Sequence, residues 1–331
     1  MRTYNWAILG LGTIARKFAQ DLALVPQARL HAVASRSGAK AQAFAAEFGV
    51  PHAVGSYEDL LAVPGIDVVY IATPHSEHYA HTLLCLRAGL PVLCEKAFAQ
   101  NAGQAQEMIQ VAQARRVFLM EAFWTRFFPA IAQVLALVQA GHIGEVKHLV
   151  ADFGFATSYQ PEGRLFNPAL AGGSLLDIGV YPLFISQLFL GVPSAVGAVA
   201  TPAPTGVDLS CALSLAYPGG ATASLFSTLA ADTDNRCILY GTKGKLQLLG
   251  RFYAPTGIQV QLAGEEALHV FPAYTPGIGY HYEAAHVQDC LAQGLTESPL
   301  LPLAFSLELM RQLDAVRQQI GLRYPGEEAR A

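Results

Sequence analysis

Residues 4–15, YNWAILGLGTIA, decide how the rest of the chain is read. Residues 4–9 are an apolar run of strand length, Gly10 and Gly12 break it, and Ile14, Phe18, Ala19 and Leu22 then fall on one helical face before Pro26. Strand, tight turn and helix in that order open a unit whose next strand returns parallel to the first.

The pattern recurs downstream. LHAVAS (30–35), DVVYIAT (67–73) and PVLCEK (91–96) read as buried strands, KAQAFAAEFG (40–49) as a helix closed by Gly49, and Tyr79 to Arg87 as a helix stopped by Gly89. Such alternation predicts an α/β, doubly wound parallel sheet with helices on both faces. After about residue 122 the period changes. Val207, Leu209, Cys211, Leu213 and Leu215 alternate with Asp208, Ser210 and Ser214, and Ile258, Val260 and Leu262 alternate with Gln259 and Gln261. Turns at YPGG (217–220) and TKGK (242–245) separate consecutive strands, which predicts an α+β domain with a large, mainly antiparallel open sheet. Helices near 127–140, 177–190, 281–293 and 303–320 are available to cover one face. The expected division is therefore 1–122 and 123–331, the helix near 303–320 being a candidate to pack back on the first domain. Only GEEARA (326–331) reads as frayed.

Length supports two domains, because 331 residues exceed the ~100–150 of the commonest single core. Apolar residues make up 52% and charged residues 14%, the opposite of a disordered chain. The net charge is −4 with no run of like charge, so neither nucleic acid nor an anionic membrane surface is an expected partner. No uninterrupted apolar stretch reaches the ~18–20 residues of a membrane span, and the start lacks the charged and hydrophobic regions of an export signal. Five cysteines, Cys85, Cys94, Cys211, Cys237 and Cys290, form no CxxC pair, so neither a disulfide framework nor a zinc knuckle is implied and a reducing cytoplasm is expected.

Gly10-Leu11-Gly12-Thr13-Ile14-Ala15 is a GxGxxA turn between the first strand and the first helix. The first glycine permits the turn, the second lets a pyrophosphate approach the backbone, and the helix N-terminus meets its charge. A packing turn alone is the plainer alternative, but the full strand–turn–helix–strand setting favours dinucleotide binding. At the end of the second strand, Ser35-Arg36-Ser37 with Lys40 a turn later stands where NAD sites usually carry a carboxylate, so NADP is expected over NAD. The alternative is a solvated arginine at a helix start.

Two segments follow strands at the carboxyl edge of the sheet, IATPHSEH (71–78) with Thr73, Pro74, His75 and His78, and CEKAFAQN (94–101) with Glu95 and Lys96. Burial and an adjacent cationic nicotinamide would both lower the pKa of Lys96 towards a proton-relay range. A lysine simply paired with a carboxylate is an equally good reading of these residues alone. The spacing of His75, His78 and His81 invites a metal, yet matches no zinc pattern. In GGSLLDIGVYPL (172–183), Asp177 and Tyr181 lie four residues apart, on one face of the helix expected there. A phenol beside a lysine suits an alcohol–carbonyl interconversion, whereas spacing alone favours an N-cap and a half-buried tyrosine. Trp124 and Arg126 in FWTRFFP (123–129), and Arg164, Phe166 and Asn167 ahead of the glycine turn, are candidates to line a substrate pocket.

Together GLGTIA, the Ser-Arg after strand two, ATPHSEH, CEKAFAQN, MEAFWTRFFP, RLFNP and GGSLLDIGVYP resemble the Gfo/Idh/MocA family of NAD(P)-dependent oxidoreductases over nearly the whole chain. The resemblance is strongest to the branch holding dimeric dihydrodiol dehydrogenases, NADP-dependent D-xylose dehydrogenases and glucose–fructose oxidoreductases, which carries Tyr where other members carry His at position 181. It implies hydride transfer to or from a sugar, cyclic polyol or trans-dihydrodiol, with Lys96 polarising the reacting oxygen, Tyr181 relaying the proton and Asp177 positioning the hydroxyl. It also implies dimerisation through the second sheet. There Ser210, Ser214, Thr222, Ser224 and Thr228 are small, polar and uncharged, unlike a solvated face. Where the family often has a proline in a cis bond, this chain has Ala97. The competing functional class is a non-catalytic dinucleotide sensor on the same fold, which would need the glycines but not the proton relay.

Overall fold

The computed structural model describes residues 2–265 and 269–327. The chain divides into two compact units, the chain up to Phe127 with Thr275–Leu307, and Phe128–Tyr274 with the chain from Glu308 on.

The first unit is built on β1 (Tyr4–Leu9), α1 (Thr13–Leu22), β2 (Ala28–Ala34), α2 (Gly38–Phe48), β3 (His52–Val54), β4 (Val68–Ile71), α3 (His75–Arg87), β5 (Val92–Glu95), α4 (Ala102–Arg115) and β6 (Leu119–Ala122). The strands run parallel in the order β3-β2-β1-β4-β5-β6. That order reverses between β1 and β4, and ligands of open α/β sheets bind outside the carboxyl ends of the strands at such a point. β4, β5 and β6 are buried at every position, as strands covered on both faces must be. Ser37 caps α2 by accepting from the Lys40 N–H at 3.3 Å, and Asn101 caps α4 by accepting from the Gln104 N–H at 3.0 Å. The helix expected from Tyr79 begins at His75, directly after Pro74, so the polar HSEH segment is its first turn.

In the second unit α5 (Pro129–Gln139) leads into β7 (Val146–Gly154), a π-helical turn over Leu175–Gly179 runs into α6 (Val180–Leu190), and seven strands follow. These are β8 (Ala195–Pro202), β9 (Asp208–Ala216), β10 (Thr222–Thr228), β11 (Cys237–Gly241), β12 (Gly244–Arg251), β13 (Ala254–Leu262) and β14 (His269–Pro272). The eight-stranded order is β14-β13-β12-β11-β7-β10-β9-β8, with β7 and β10 parallel and the other described pairs antiparallel. Cys211, Leu213, Leu215, Ala223, Leu225, Leu149, Ala151, Leu246, Leu248, Ile258 and Val260 are buried, so the alternating stripe becomes the covered face. Two polar residues assigned to the other face are corrected. Asp208 is buried because its carboxylate turns in to accept from Ser174 and Leu175, and Thr228 is buried against Ser210, with their hydroxyls 2.6 Å apart.

The chain then forms α7 (Tyr280–Ala292) and α8 (Leu303–Ile320). α7 belongs to the first unit, which a single division at residue 122 does not provide. The cause is Asp21, whose buried carboxylate accepts from three consecutive backbone N–H groups, those of Ile278, Gly279 and Tyr280, at 2.6–3.1 Å. This caps α7 from a position 259 residues earlier in the chain. Residues 168–190 include a helical run apolar enough to cross a membrane by composition, but 89% of its window is buried, as a core helix should be. Of the expected frayed end, Glu327 accepts from the Arg317 guanidinium at 2.8 and 3.0 Å, while 328–331 lie outside the described residues.

Candidate active site

In the first unit the glycine turn lies at the carboxyl end of β1. Gly10 has φ +92, and a Cβ there would sit 2.6 Å from Thr73 Cγ2 and 2.9 Å from Thr73 N. Only glycine lets the two loops approach so closely. Gly12 is the N-cap of α1, with nothing within 4 Å of its Cβ direction, so the approach to the first turn at Thr13 and Ile14 is open. At the end of β2, Ser35 is buried and its hydroxyl accepts from the Ser37 N–H at 3.3 Å, while Arg36 and Lys40 are exposed. The Arg36 guanidinium meets the hydroxyl of Tyr57, whose ring stands edge-on to His81 at 4.5 Å.

The loops after β4 and β5 meet at one imidazole, which as a neutral ring donates to only one of the two carbonyls it faces. His78 is fully buried, with Nδ1 2.8 Å from the Ala97 carbonyl and Nε2 2.9 Å from the Thr73 carbonyl. Burial pushes its pKa down to about 4, against the pull of the two carbonyl acceptors. His75 packs edge-on to His78 with ring centroids 5.6 Å apart, and His81 Nδ1 meets the Thr73 hydroxyl at 3.1 Å. Among the described residues no group of three or more His, Cys, Asp or Glu is arranged to hold a metal. Glu95 accepts from the Tyr70 hydroxyl and, through its other oxygen, from the Lys96 N–H at 3.2 Å. Burial and the Glu95 charge hold the Tyr70 phenol protonated, so it remains a donor. The Lys96–Ala97 peptide is cis.

Two carboxyl groups near Glu95, one of them also near Lys96, were not foreseen. Glu121 on β6 is register partner to Cys94, and burial pushes its pKa up to about 7. Glu283, in the first turn of α7, is raised by burial and by the charges of Glu95 and Asp21. An acid inside a short run that is otherwise all apolar, as in LMEA, is a signal that could have found Glu121. Trp124 stacks on Tyr280 at 4.5 Å and 6°, and Arg126 donates to the Leu300 carbonyl at 2.9 Å.

In the second unit Asp177 sits on the π turn rather than on a regular α-helix, and Tyr181 occupies the first turn of α6. Arg164 grips both Asp177 oxygens, at 2.6 and 3.3 Å. The fork geometry fixes the orientation of the carboxylate as well as its charge. The nearly buried Tyr181 ring lies 5.4 Å from Phe153 and 5.6 Å from Tyr253, and these two stack on each other at 4.1 Å and 10°. Phe153 and Tyr253 wall the tyrosine, and neither stands in a motif that singles it out. Phe166 is buried, edge-on to Tyr159 at 5.1 Å, and Asn167 caps the short turn at Pro168–Leu170 by accepting from the Ala169 N–H at 2.9 Å.

A dinucleotide turn and a lysine at the carboxyl edge of one unit, with a carboxylate and a phenol on a helix of the other, match known proteins over the full length. Residues 4–123 match the model of an oxidoreductase family with an NAD-binding Rossmann fold, and residues 131–247 match the GFO/IDH/MocA C-terminal domain. The chain is 40% identical over 335 residues to trans-1,2-dihydrobenzene-1,2-diol dehydrogenase of Sus scrofa, covering 98% of this chain and 99% of that one. The chain belongs to the Gfo/Idh/MocA family of oxidoreductases. Its human relative of the same name is 38% identical over 334 residues, covering 98% of this chain and 99% of the relative. Among solved structures, the aldose-aldose oxidoreductase from Caulobacter crescentus complexed with glycerol superposes with a TM-score of 0.87 at 29% identity, covering 96% of this chain and 97% of that one. A 3-ketoreductase from Actinomadura kijaniata, in complex with NADP and a TDP-bearing ligand, gives 0.86 at 28%, covering 96% and 98%.

Proposed function

We propose that this chain is an NADP-dependent dehydrogenase moving a hydride between C4 of the nicotinamide and a carbinol carbon of a cyclic trans-diol or a sugar. The observation that supports this reading is the closure of the Gly10 turn onto Thr73, whose carbonyl lies 2.9 Å from the His78 ring that also stands 2.8 Å from the Ala97 carbonyl, next to Lys96. The cradle fits the cofactor, since a Cβ at Gly12 would point into open space at a helix N-terminus where a pyrophosphate can approach. Gly10, Gly12, Thr13 and Ile14 would hold the phosphates, Ser35, Arg36 and Lys40 the 2′-phosphate, and Thr73, Pro74 and His75 the nicotinamide end, whereas His78, fully buried against the Ala97 and Thr73 carbonyls, and Glu95, engaged by Tyr70 and the Lys96 N–H, support those loops rather than touch the cofactor. The bound cofactor supplies the hydride acceptor.

The chain supplies the proton chemistry. Lys96 directs its charge at the oxygen that is alkoxide-like once its proton has left and before the C–H bond has broken, and that becomes so again when hydride is returned to the carbonyl. Tyr181, in its aromatic enclosure, relays the hydroxyl proton, giving up its own phenolic proton towards solvent as it accepts that of the substrate and running the same exchange backwards in the reverse direction. Asp177, oriented by Arg164, holds the substrate hydroxyl. Trp124 and Arg126 belong to the rim in this reading, Arg126 through its grip on Leu300, and Phe166 and Asn167 support the Arg164 loop.

A second copy of the chain covers the open face of the large sheet. Val150, Ala212, Ser214, Ser224 and Phe226 line a shallow depression of about 540 Å³ there, and Val199 on β8 is 71% exposed. A dimer by light scattering at micromolar concentration supports this, and a monomer overturns it. The five described cysteines are all free and buried, in keeping with a reducing cytoplasm. Absorbance at the NADPH band, with NADP and either trans-1,2-dihydrobenzene-1,2-diol or D-xylose, tests the activity. Tight NADP binding with no turnover on a broad panel of diols and aldoses would instead favour a dinucleotide sensor.

A further inference from the structure

The second unit contains a buried carboxylate with no part in the chemistry above. Asp208, at the start of β9, is 3% exposed. Its Oδ2 accepts from the Ser174 hydroxyl at 2.7 Å and from the Leu175 N–H at 2.6 Å, at the entrance of the π turn. Ser174 Oγ in turn lies 3.0 Å from Ser227 Oγ on β10. Gly173 has φ +114, and a Cβ there would fall 2.1 Å from Asp208 Oδ1, so the glycine exists to let the carboxylate in. At the other end of the turn, a Cβ on Gly179 would fall 2.8 Å from Ser227 Oγ.

The Ser174–Leu175 end of the segment Leu175–Gly179 is thus fixed to the adjacent strands β9 and β10 by hydrogen bonds, and its Gly179 end packs too closely on Ser227 of β10 to admit a side chain. The Val180 N–H reaches back to the Leu175 carbonyl, the wide turn that defines a π segment. An extra residue in a helical turn rotates everything after it by about 100°. The relation between Asp177 and Tyr181 depends on that turn being kept. A carboxylate accepting from the first N–H groups of a helical segment is well placed electrostatically. It nevertheless leaves Oδ1 buried without a partner, a cost that an apolar side chain would not carry.

We infer that Asp208, acting with Ser174, is a positioning residue for the reaction, setting the π turn that presents Asp177 and Tyr181. This rests on the roles proposed for those two residues. It is tested with Asp208→Asn and, as a milder change that removes one hydrogen bond, Ser174→Ala. Hydrogen–deuterium exchange should quicken at least tenfold over residues 172–181 in Asp208→Asn, and about threefold in Ser174→Ala, with β10 and β12 protected as before. With NADP and trans-1,2-dihydrobenzene-1,2-diol, kcat should fall at least tenfold in Asp208→Asn while KM for NADP stays within twofold. Unchanged exchange over 172–181 overturns the inference. So does faster exchange with wild-type kcat, since Asp208 would then be structural only. If Asp208→Asn does not fold, Ser174→Ala decides by the same criteria. If the wild-type chain turns over neither this diol nor D-xylose, the functional reading fails, and the exchange experiment still judges whether Asp208 holds the turn.

Discussion

Substituting alanine at Gly10 and at Gly12 should give two different failures, although the two glycines are only two residues apart. At position 10 the new Cβ would lie 2.6 Å from Thr73 Cγ2, 2.9 Å from Thr73 N and 3.0 Å from the Ala72 carbonyl carbon, with φ at +92. Backbone atoms cannot yield as a flexible side chain can. A left-handed conformation costs a non-glycine residue ~1–2 kcal/mol, and overpacking costs ~1–3 kcal/mol, together about 2–5 kcal/mol. At ~2–4 °C per kcal/mol for units of this size, Gly10→Ala should lower Tm by about 4–20 °C and weaken NADP binding with it. Gly12 has φ −91 and ψ −166, which alanine adopts freely, and nothing lies within 4 Å of the Cβ direction. Gly12→Ala should therefore keep or slightly raise Tm through the restricted unfolded chain. Its methyl would stand where the pyrophosphate approaches, at a cost of ~1–3 kcal/mol, or roughly 5- to 150-fold in Kd. Differential scanning fluorimetry gives Tm, and NADPH fluorescence titration gives Kd. A Gly12→Ala variant that binds NADPH as tightly as wild type would refute the assignment of this cradle, and a Gly10→Ala variant of unchanged Tm would refute the packing argument.

Other consequences can be measured on the same material. Lys96→Met and Tyr181→Phe should each lower kcat by ~10²–10⁴, the usual contribution of a positioned acid–base group, while NADP affinity holds; unchanged turnover in either removes that residue's role. Arg36→Ser should raise KM for NADP by roughly 10- to 100-fold, as loss of a charge-assisted contact does, and leave NAD use unaltered; an equal effect on both cofactors contradicts the 2′-phosphate assignment. Burial lifts the Glu121 carboxyl from 4.5 to about 7, so between those values the folded chain keeps a proton that the unfolded chain has lost. The associated stability is complete below pH 4.5 and disappears as pH rises through about 7, some 3 kcal/mol in all. Glu121→Gln should abolish this fall in urea unfolding at pH 5 and pH 8, and a variant that retains the wild-type pH slope shows that the cost lies elsewhere.

The architecture was legible wherever it is written in local periodicity. The run from Tyr4 to Ala15 announced the strand–turn–helix unit, and the stripe of Cys211, Leu213 and Leu215 announced the covered face of the second sheet, because side-chain period and burial are the same fact seen twice. Features that depend on distant partners were not legible. The return of α7 to the first unit is decided by Asp21, more than 250 residues earlier, and nothing near Tyr280 reveals it. The π turn at Asp177 is met at its start by Asp208 and Ser227, which bond Leu175 and Ser174 and arrive from later strands. Asp208 itself read as one polar residue of an alternating strand, since a period of two says which face a side chain takes but not that a carboxylate at the strand end will turn inward. Asn167 showed a residue type suited both to a pocket and to a cap, and only its 2.9 Å contact with the Ala169 N–H shows that it caps.

Hydride transfer from a carbinol carbon is the claim on which the other assignments depend, and isotope tracing reaches it directly. The chain is incubated with NADP and a trans-1,2-dihydrobenzene-1,2-diol carrying deuterium at both carbinol carbons, and the reduced cofactor is examined by mass spectrometry and proton NMR. One deuterium at C4 of the nicotinamide, in every molecule of NADPH formed, is the expected result. NADPH without deuterium, or none formed with this diol and with a similarly labelled aldose, would contradict it.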